Sequence, residues 1–162
     1  KKNKIKVFRG SKNDVLKRYI DCCEKYNLSD IVRITGDCPL VDKDIINNLL
    51  NIYLKNNYDY VSNVCPSTFP DGLDVEIVKL SILKKSFIEN KSVSNKEHVT
   101  LNIRKKTKYK KYNMSYNKNN LSKIRWTVDK ENDLRFIKKI VMKFHPRIHF
   151  SWKEIYKLKI FN

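Results

Sequence analysis

Apolar residues recur along the chain with two spacings, one typical of strands and one typical of helices. Short runs of β-branched and aromatic residues predict strands over residues 5–10, 30–35, 58–64, 73–78, 108–116 and 123–128. Apolar residues at intervals of three and four predict helices over residues 15–26, 45–54, 81–90, 97–106, 134–144 and 151–158. This alternation predicts an α/β sheet that is largely parallel at its start, with right-handed crossovers.

Polar residues that cap helices precede several of these segments. We expect helix starts at Ser11, Asp42, Ser94 and Ser151. After Ser11 and Ser94, an acidic residue follows three positions later, as in a capping box. The predicted helix that ends near residue 144 is followed by Pro146, which cannot continue it.

Ligands of α/β sheets bind outside the carboxyl ends of the strands. That rule selects the loops that follow Val7–Phe8, Thr35 and Val128. The chain has only three glycines, each in a short polar turn: Gly10, Gly36 and Gly72. In a chain that uses glycine so sparingly, we expect each of them to serve a positive φ or a close backbone approach.

Two carboxylates directly follow predicted strands. The position of Asp37 favours a turn-forming role, with an oxygen ligand for Mg²⁺ as the alternative. Asp129 could cap the helix that follows it, or it could bind the same ion. Because a carboxylate that is anchored to the backbone can still offer an oxygen, we keep as a hypothesis that the two converge on one cation.

Further acidic residues surround the third glycine, in the stretch FPDGLDVE. Its simplest interpretation is a β-turn followed by an alternating strand, with Asp71, Asp74 and Glu76 as its acidic residues. Asp71 and Asp74 could equally accept hydrogen bonds from sugar hydroxyls. Glu97 lies where a capping box needs it, and a structural or surface role is favoured for His98 over a catalytic one.

Composition narrows the class of protein. The 162 residues are long enough for a core and predict one domain. A net charge of +18 suggests an anionic partner, but the excess is mostly lysine, so a dedicated nucleic-acid role is disfavoured. Four single arginines are candidates for phosphate contacts, although each says little in so basic a chain: Arg9, Arg33, Arg104 and Arg125.

The four cysteines have no metal-ligand spacing and do not suggest a disulfide framework. No apolar run is long enough to cross a bilayer, and none resembles a signal peptide. We therefore expect a soluble protein of the reducing cytoplasm that does not contact membranes.

Several stretches together resemble one family, the bacterial cytidylyltransferase-like proteins of spore-coat polysaccharide biosynthesis. That family is related to the 3-deoxy-manno-octulosonate and acylneuraminate cytidylyltransferases. The matching stretches occur in the family's order and cover most of the chain: VFRGSKNDVLKRY, DIVRITGDCPLVD, DYVSN, TFPDGLDVEI, KEHVTLNIR and IRWTVDKENDLRFI. RITGDCPLVD and FPDGLDVE are the most specific of them.

The resemblance implies a three-layer α/β/α Rossmann-like sandwich of the nucleotide-diphospho-sugar transferase type. It also implies an enzyme that transfers CMP from CTP to a sugar acid with Mg²⁺ and releases pyrophosphate, making a CMP-sugar for a surface polysaccharide. By this resemblance, Asp37 and Asp129 are the catalytic carboxylates and the metal ligands. The substrate contacts that we expect are Arg9, Thr35, Gly36, Asp71, Asp74, Glu97, His98 and Arg125.

The sequence departs from the family at its start. Members open with a Gly- and Arg-containing phosphate loop of the type GSxRLPGK, and no stretch of this chain matches it. We therefore expect the C-terminal two-thirds of the family domain, truncated at the N-terminus and inactive alone. The alternatives are a non-catalytic remnant of the fold that serves binding or dimerisation, and a basic nucleic-acid-binding domain. A homodimer is a further expectation, since relatives often form dimers.

Overall fold

The structure is a computed structural model that describes residues 5–160. Within this range the chain forms seven helices and four strands. The helices are α1 Val15–Lys25, α2 Lys43–Lys55, α3 Leu80–Glu89, α4 Val93–His98, α5 Leu101–Lys105, α6 Glu131–Phe144 and α7 Trp152–Lys157. The strands are β1 Asp30–Arg33, β2 Tyr60–Ser62, β3 Glu76–Lys79 and β4 Lys111–Asn113.

The four strands form one open sheet in the order β1-β3-β2-β4. Strand β2 pairs in parallel with β4, with Tyr60 opposite Lys111 and Ser62 opposite Asn113. The expected α/β fold with an open sheet is thus confirmed. None of the helices within residues 5–160 combines the length and the apolar character needed to cross a bilayer.

The described chain divides into two compact units, residues 5–31 with 78–110 and residues 32–77 with 111–160. In the first unit, α1 packs against α3 and α4. The apolar spacing predicted for α1 is confirmed, because Leu16, Ile20 and Cys23 are its buried residues.

The second unit has its own apolar core, which includes α2, β2, α6 and α7. Trp126 is the largest fully buried side chain. It packs in one cluster with residues from each of these elements, among them Leu49, Val61, Ile140 and Ile155. The buried residues of α2 and α6 therefore also follow the helical spacing that the sequence predicts.

Two of the four predicted helix starts are confirmed. Asp42 caps α2 by accepting hydrogen bonds from the backbone N–H groups of Asp44 (2.8 Å) and Ile45 (3.1 Å). Its second carboxylate oxygen accepts the backbone N–H of Trp152 at 2.8 Å, at the first residue of α7. Ser151 caps α7 in a capping box with Glu154. One buried aspartate thus joins the starts of two helices.

The other two predicted starts are wrong by a few residues. Helix α1 is capped by Asp14. The hydroxyl of Ser11 accepts the backbone N–H of Asp14 and lies before the helix start. Helix α4 is capped by Ser92 rather than Ser94. In both places two hydroxyl or carboxylate side chains compete within a few residues, and spacing alone does not choose between them.

Three predicted segments differ more widely from the structure. Residues 5–10 form no strand, and residues 123–128 form only an isolated parallel bridge between Asp71 and Arg125. The helix predicted over 97–106 is split into α4 and α5 at Val99, whose φ is +56°. An apolar run becomes a strand only where a neighbour completes a ladder of hydrogen bonds, and the run itself does not show whether one exists.

Candidate active site

Two acidic turns of the second unit are hydrogen-bonded to one extended segment, residues 124–128. Asp71 donates its backbone N–H to the carbonyl of Ile124 at 2.8 Å, and its own carbonyl accepts the N–H of Trp126 at 2.7 Å. The carbonyl of Asp37 accepts the N–H of Val128 at 2.9 Å. The backbones at the two acidic turns are therefore fixed against the same few residues.

Gly72 makes the first of these contacts possible. Its φ is +104°, and a Cβ at this position would lie 2.8 Å from both the carbonyl carbon and the oxygen of Trp126. The expectation of a backbone that requires glycine is met here. It is wrong for Gly36, which has no positive φ and where an added Cβ would meet no atom within 4 Å.

Asp129 follows the extended segment, and its carboxylate lies against the Arg125 guanidinium. Arg125 donates through Nη2 to Asp129, lies 3.0 Å through Nη1 from Oδ1 of Asp133, and lies 3.9 Å through Nε from Oδ2 of Asp71. The guanidinium predicted to contact phosphate is thus surrounded by three carboxylates. Its position makes it a counter-charge for the acidic turns.

Asp133, rather than Asp129, satisfies the backbone at the start of α6. Its Oδ2 accepts the N–H of Asp129 at 3.0 Å and the N–H of Lys130 at 2.9 Å. These hydrogen bonds, first of all the one from Asp129, lower the pKa of Asp133 below its usual value. The capping alternative for Asp129 is therefore wrong, and its exposed carboxylate is left for other contacts. Asp133 was missed in the sequence, although its place in the first turn of a helix was a usable signal.

The carboxylates of this unit influence one another. Burial raises the pKa of Asp71, Arg125 opposes the rise, and the charges of Asp37 and Asp129 add to it. Burial also raises the pKa of Asp74 to about 6, with a further contribution from Asp71. The charges of Asp37 and Asp129 thus act on Asp71, and those of Asp71 and Asp37 act on Asp74. We call these four residues the acidic cluster: Asp37, Asp71, Asp74 and Asp129.

Thr35 and Cys38 form the base of the turn that carries Asp37. The Thr35 hydroxyl and the Cys38 thiol lie 3.1 Å apart, and Cys38 is buried. Burial raises the pKa of Cys38 to about 11, so it is a neutral thiol at physiological pH. Thr35 was predicted as a substrate contact. In the structure its hydroxyl contacts the thiol of Cys38 inside the turn.

A buried ion pair lies beside the acidic cluster. Arg33 Nη1 donates to Oε1 of Glu76 at 2.5 Å, and the Tyr60 hydroxyl donates to Oε2. Only 17% of the Arg33 side chain and 4% of the Glu76 side chain are exposed. Arg33 was a candidate for phosphate contact, and the structure instead pairs it with Glu76.

The remaining predicted contacts belong to the first unit. Arg9 is exposed and precedes α1, while Glu97 and His98 are exposed at the end of α4. Glu97 does not cap a helix start, because the cap of α4 is Ser92. The part of these three residues in substrate binding stays a prediction.

The acidic cluster has the donor chemistry that Mg²⁺ prefers. Magnesium usually takes one or two carboxylates and completes its octahedron with phosphate oxygens and water. Asp37 is half-buried and makes no ion pair within residues 5–160, while Asp129 reaches Arg125. Over the same residues, no group of three or more His, Cys, Asp or Glu side chains is placed to hold a metal. Binding of Mg²⁺ by Asp37 and Asp129 therefore stays a prediction.

The sequence matches the cytidylyltransferase family over residues 2–157, and the chain belongs to that family. Its fold is similar to that of a cytidylyltransferase from Leptospira borgpetersenii serovar Hardjo-bovis, with a TM-score of 0.91 and 33% identity. The similarity covers 97% of this chain and 66% of the Leptospira chain.

Two relatives are similar in sequence. The spore coat polysaccharide biosynthesis protein SpsF of Bacillus subtilis is 29% identical over 167 residues, which cover 97% of this chain and 65% of SpsF. An uncharacterised protein of Methanocaldococcus jannaschii is 40% identical over 96 residues, which cover 59% of this chain and 38% of that protein. The chain thus spans less than two thirds of the length of either relative.

Proposed function

We propose that the protein containing this chain transfers CMP from CTP to a sugar acid and releases pyrophosphate, making an activated sugar for a surface polysaccharide. Membership of the cytidylyltransferase family supports nucleotidyl transfer, and similarity to SpsF supports polysaccharide biosynthesis. The observation that carries the proposal is the hydrogen bond between Val128 and Asp37. It holds the two carboxylate-bearing loops together at one place in the second unit.

The reaction requires positioning and charge neutralisation more than covalent chemistry by the protein. A hydroxyl of the sugar acid attacks the α-phosphorus of CTP, and the bond to the β-phosphate breaks. In this proposal Asp37 and Asp129 hold Mg²⁺, which would neutralise charge on the phosphates when bound. Arg125, which is paired with Asp129, would hold that carboxylate beside the ion, and in the same proposal Asp71 and Asp74 accept hydrogen bonds from the sugar.

This chain covers 65% of SpsF, so the activity of the whole relative comes to it only as a proposal. The 162 residues contain no Gly- and Arg-containing phosphate loop of the family's type. We therefore propose that they do not bind CTP tightly by themselves.

The test uses the protein encoded by the whole reading frame, incubated with CTP, Mg²⁺ and either 3-deoxy-manno-octulosonate or N-acetylneuraminate. Phosphorus NMR should show pyrophosphate together with a CMP-sugar phosphodiester. Asp37→Asn should abolish both signals, whereas Asp44→Asn, at an exposed position in the first turn of α2, should retain them. Wild-type protein that forms neither product would favour a non-catalytic remnant of the fold.

A further inference from the structure

A basic stretch runs along the outer face of α6 and the turn that follows this helix. Residues 134–153 contain no Asp or Glu, and their Lys and Arg side chains are all exposed: Arg135, Lys138, Lys139, Lys143, Arg147 and Lys153. Arg135 pairs with Glu131 and Arg147 pairs with Glu154, near the two ends of the stretch. Among the described residues, no carboxylate is paired with Lys138, Lys139 or Lys143. The middle of the stretch therefore keeps its positive charge.

Exposed apolar side chains lie among these cations. Met142 is 67% exposed and follows Lys138 and Lys139 by four and three positions, so the three residues share one face of the helix. In the turn after α6, Ile148 is 81% exposed beside Arg147. The opposite face of α6 is buried in the core of the second unit, so the helix cannot rotate its apolar outer residues inward.

Helix α3 of the first unit has the same local pattern but a different balance of charge. Lys84 and Lys85 precede Ile88, which is 73% exposed, with the spacing found in α6. Unlike the lysines in the middle of α6, Lys84 is paired, since its Nζ lies 2.6 Å from Oε1 of Glu24. Glu89 follows Ile88 directly. Helix α3 therefore offers a matched comparison in which carboxylates offset the lysines.

We propose that the outer face of α6, with the turn after it, docks on a membrane surface rich in anionic lipids. We call this surface the basic face: Arg135, Lys138, Lys139, Met142, Lys143, Arg147 and Ile148. Acidic headgroups attract clustered lysines, and apolar tips such as Met142 and Ile148 enter the boundary between headgroups and acyl chains. The proposal goes beyond nucleotidyl transfer and does not depend on it.

The proposal revises the expectation that the protein does not contact membranes. That expectation rested on the lack of an apolar run long enough to cross a bilayer. Binding at the surface needs no such run, because the protein remains in water and only side chains reach the lipid.

Two other occupants suit the basic face less well. A second copy bound through a two-fold axis would bring the same lysines against each other, and like-charge repulsion opposes that contact. Nucleic acid is bound preferentially by arginine forks and by stacking on aromatic rings. The middle of the basic face instead presents lysines and Met142, and the nearby ring of Phe144 is buried.

The test measures how the protein of the whole reading frame co-sediments with vesicles of phosphatidylglycerol and phosphatidylcholine in equal parts. We expect binding to these vesicles, little binding to pure phosphatidylcholine, and an affinity that falls as salt is added. Replacing both lysines, Lys138→Gln with Lys139→Gln, should lower the affinity about 10- to 30-fold. The matched pair Lys84→Gln with Lys85→Gln changes the net charge equally and should lower it less than about threefold.

A second pair of variants tests the apolar contribution without changing charge. Met142→Gln keeps the length of the side chain but replaces its thioether with an amide, and it should lower the affinity about three- to tenfold. Ile88→Gln, on the exposed face of α3, should leave the affinity unchanged. Circular dichroism of each variant should match wild type, because all of these side chains are exposed.

Three results would overturn the proposal. Wild type that does not sediment with the anionic vesicles excludes the membrane as the partner. Equal losses for the two lysine pairs would assign the binding to net charge alone. If light scattering in the absence of vesicles shows a dimer that Lys138→Gln with Lys139→Gln dissociates, the basic face belongs to an interface between two copies.

Discussion

The backbone N–H of Val128 donates a 2.9 Å hydrogen bond to the carbonyl oxygen of Asp37. These residues are 91 positions apart by number (128 − 37), so the bond joins two distant loops. Each loop carries a carboxylate, Asp37 in one and Asp129 directly after Val128 in the other. The bond uses only backbone atoms and so engages neither carboxylate, while the carboxylate of Asp129 is paired with Arg125.

Gly72→Ala should destabilise the protein strongly. Alanine disfavours a φ of +104°, and its methyl group would lie 2.8 Å from the Trp126 backbone. We expect urea unfolding to show a free energy of unfolding that is lower by about 1–3 kcal/mol. Gly36→Ala is the matched control, since a methyl group there meets nothing within 4 Å, and it should change stability by less than about 0.5 kcal/mol. Equal losses in the two variants would contradict the close approach.

Asp42→Ala should cost more than the loss of an ordinary cap. The carboxylate is 3% exposed and satisfies the first turns of both α2 and α7. Removing the cap of α2 and leaving the buried N–H of Trp152 unpaired should lower the free energy of unfolding by about 2–4 kcal/mol. Ser151→Ala, which removes the side-chain cap of α7 alone, should lower it by about 1 kcal/mol. A loss for Asp42→Ala no larger than that of Ser151→Ala would refute the double role.

Glu76→Gln should destabilise the protein because it leaves the Arg33 charge buried without its counter-charge. We expect a loss of about 3 kcal/mol in urea unfolding. The exposed pair of Arg135 and Glu131 on α6 offers a matched comparison, with side chains that are 66% and 74% exposed. Glu131→Gln should cost less than about 0.5 kcal/mol. A similar small cost for Glu76→Gln would show that the pair is solvated in solution.

Asp74→Asn should remove a contribution to the free energy of unfolding that becomes smaller as the pH rises. The pKa of Asp74 is raised from 3.8 to about 6, so the folded protein binds a proton that the unfolded chain has already released. The contribution of this group to stability is therefore largest at low pH and declines as the pH rises from about 4 to about 6. Both proteins are unfolded in EDTA. The free energy of unfolding of Asp74→Asn, relative to that of wild type, should be higher at pH 7.5 than at pH 4. Parallel stability profiles would contradict the raised pKa.

The alternation of apolar spacings was sufficient to predict the α/β fold and the helices α2, α6 and α7. It failed for residues 123–128, where the apolar pattern of a strand is present but the neighbouring backbone pairs with it at one bridge only. It also failed at Val99, where the break between α4 and α5 leaves no glycine or proline as a signal. Strand pairing and helix breaks depend on tertiary contacts, which local spacing does not contain.

Only part of the arrangement around the candidate site can be inferred from the sequence, and the functional roles of its residues stay predictions. Asp37 and Asp129 could be chosen because each follows a predicted strand, although residues 123–128 form only an isolated bridge in the structure. The ionic contacts of Arg125 could not, because its partners lie at positions 71, 129 and 133 and meet only in the fold. The partnerless state of Asp74 within residues 5–160 was equally hidden, since it depends on what surrounding residues do not provide.

Calorimetry of CTP binding to the protein of the whole reading frame tests the central claim most directly, namely that the loops of Asp37 and Asp129 form a metal–nucleotide site. We predict that wild type binds CTP at least about tenfold more tightly in Mg²⁺ than in EDTA, a difference of about 1.4 kcal/mol. Asp37→Asn should lose that difference and keep the affinity measured in EDTA. An Asp37→Asn protein that binds CTP in Mg²⁺ as tightly as wild type would contradict the account.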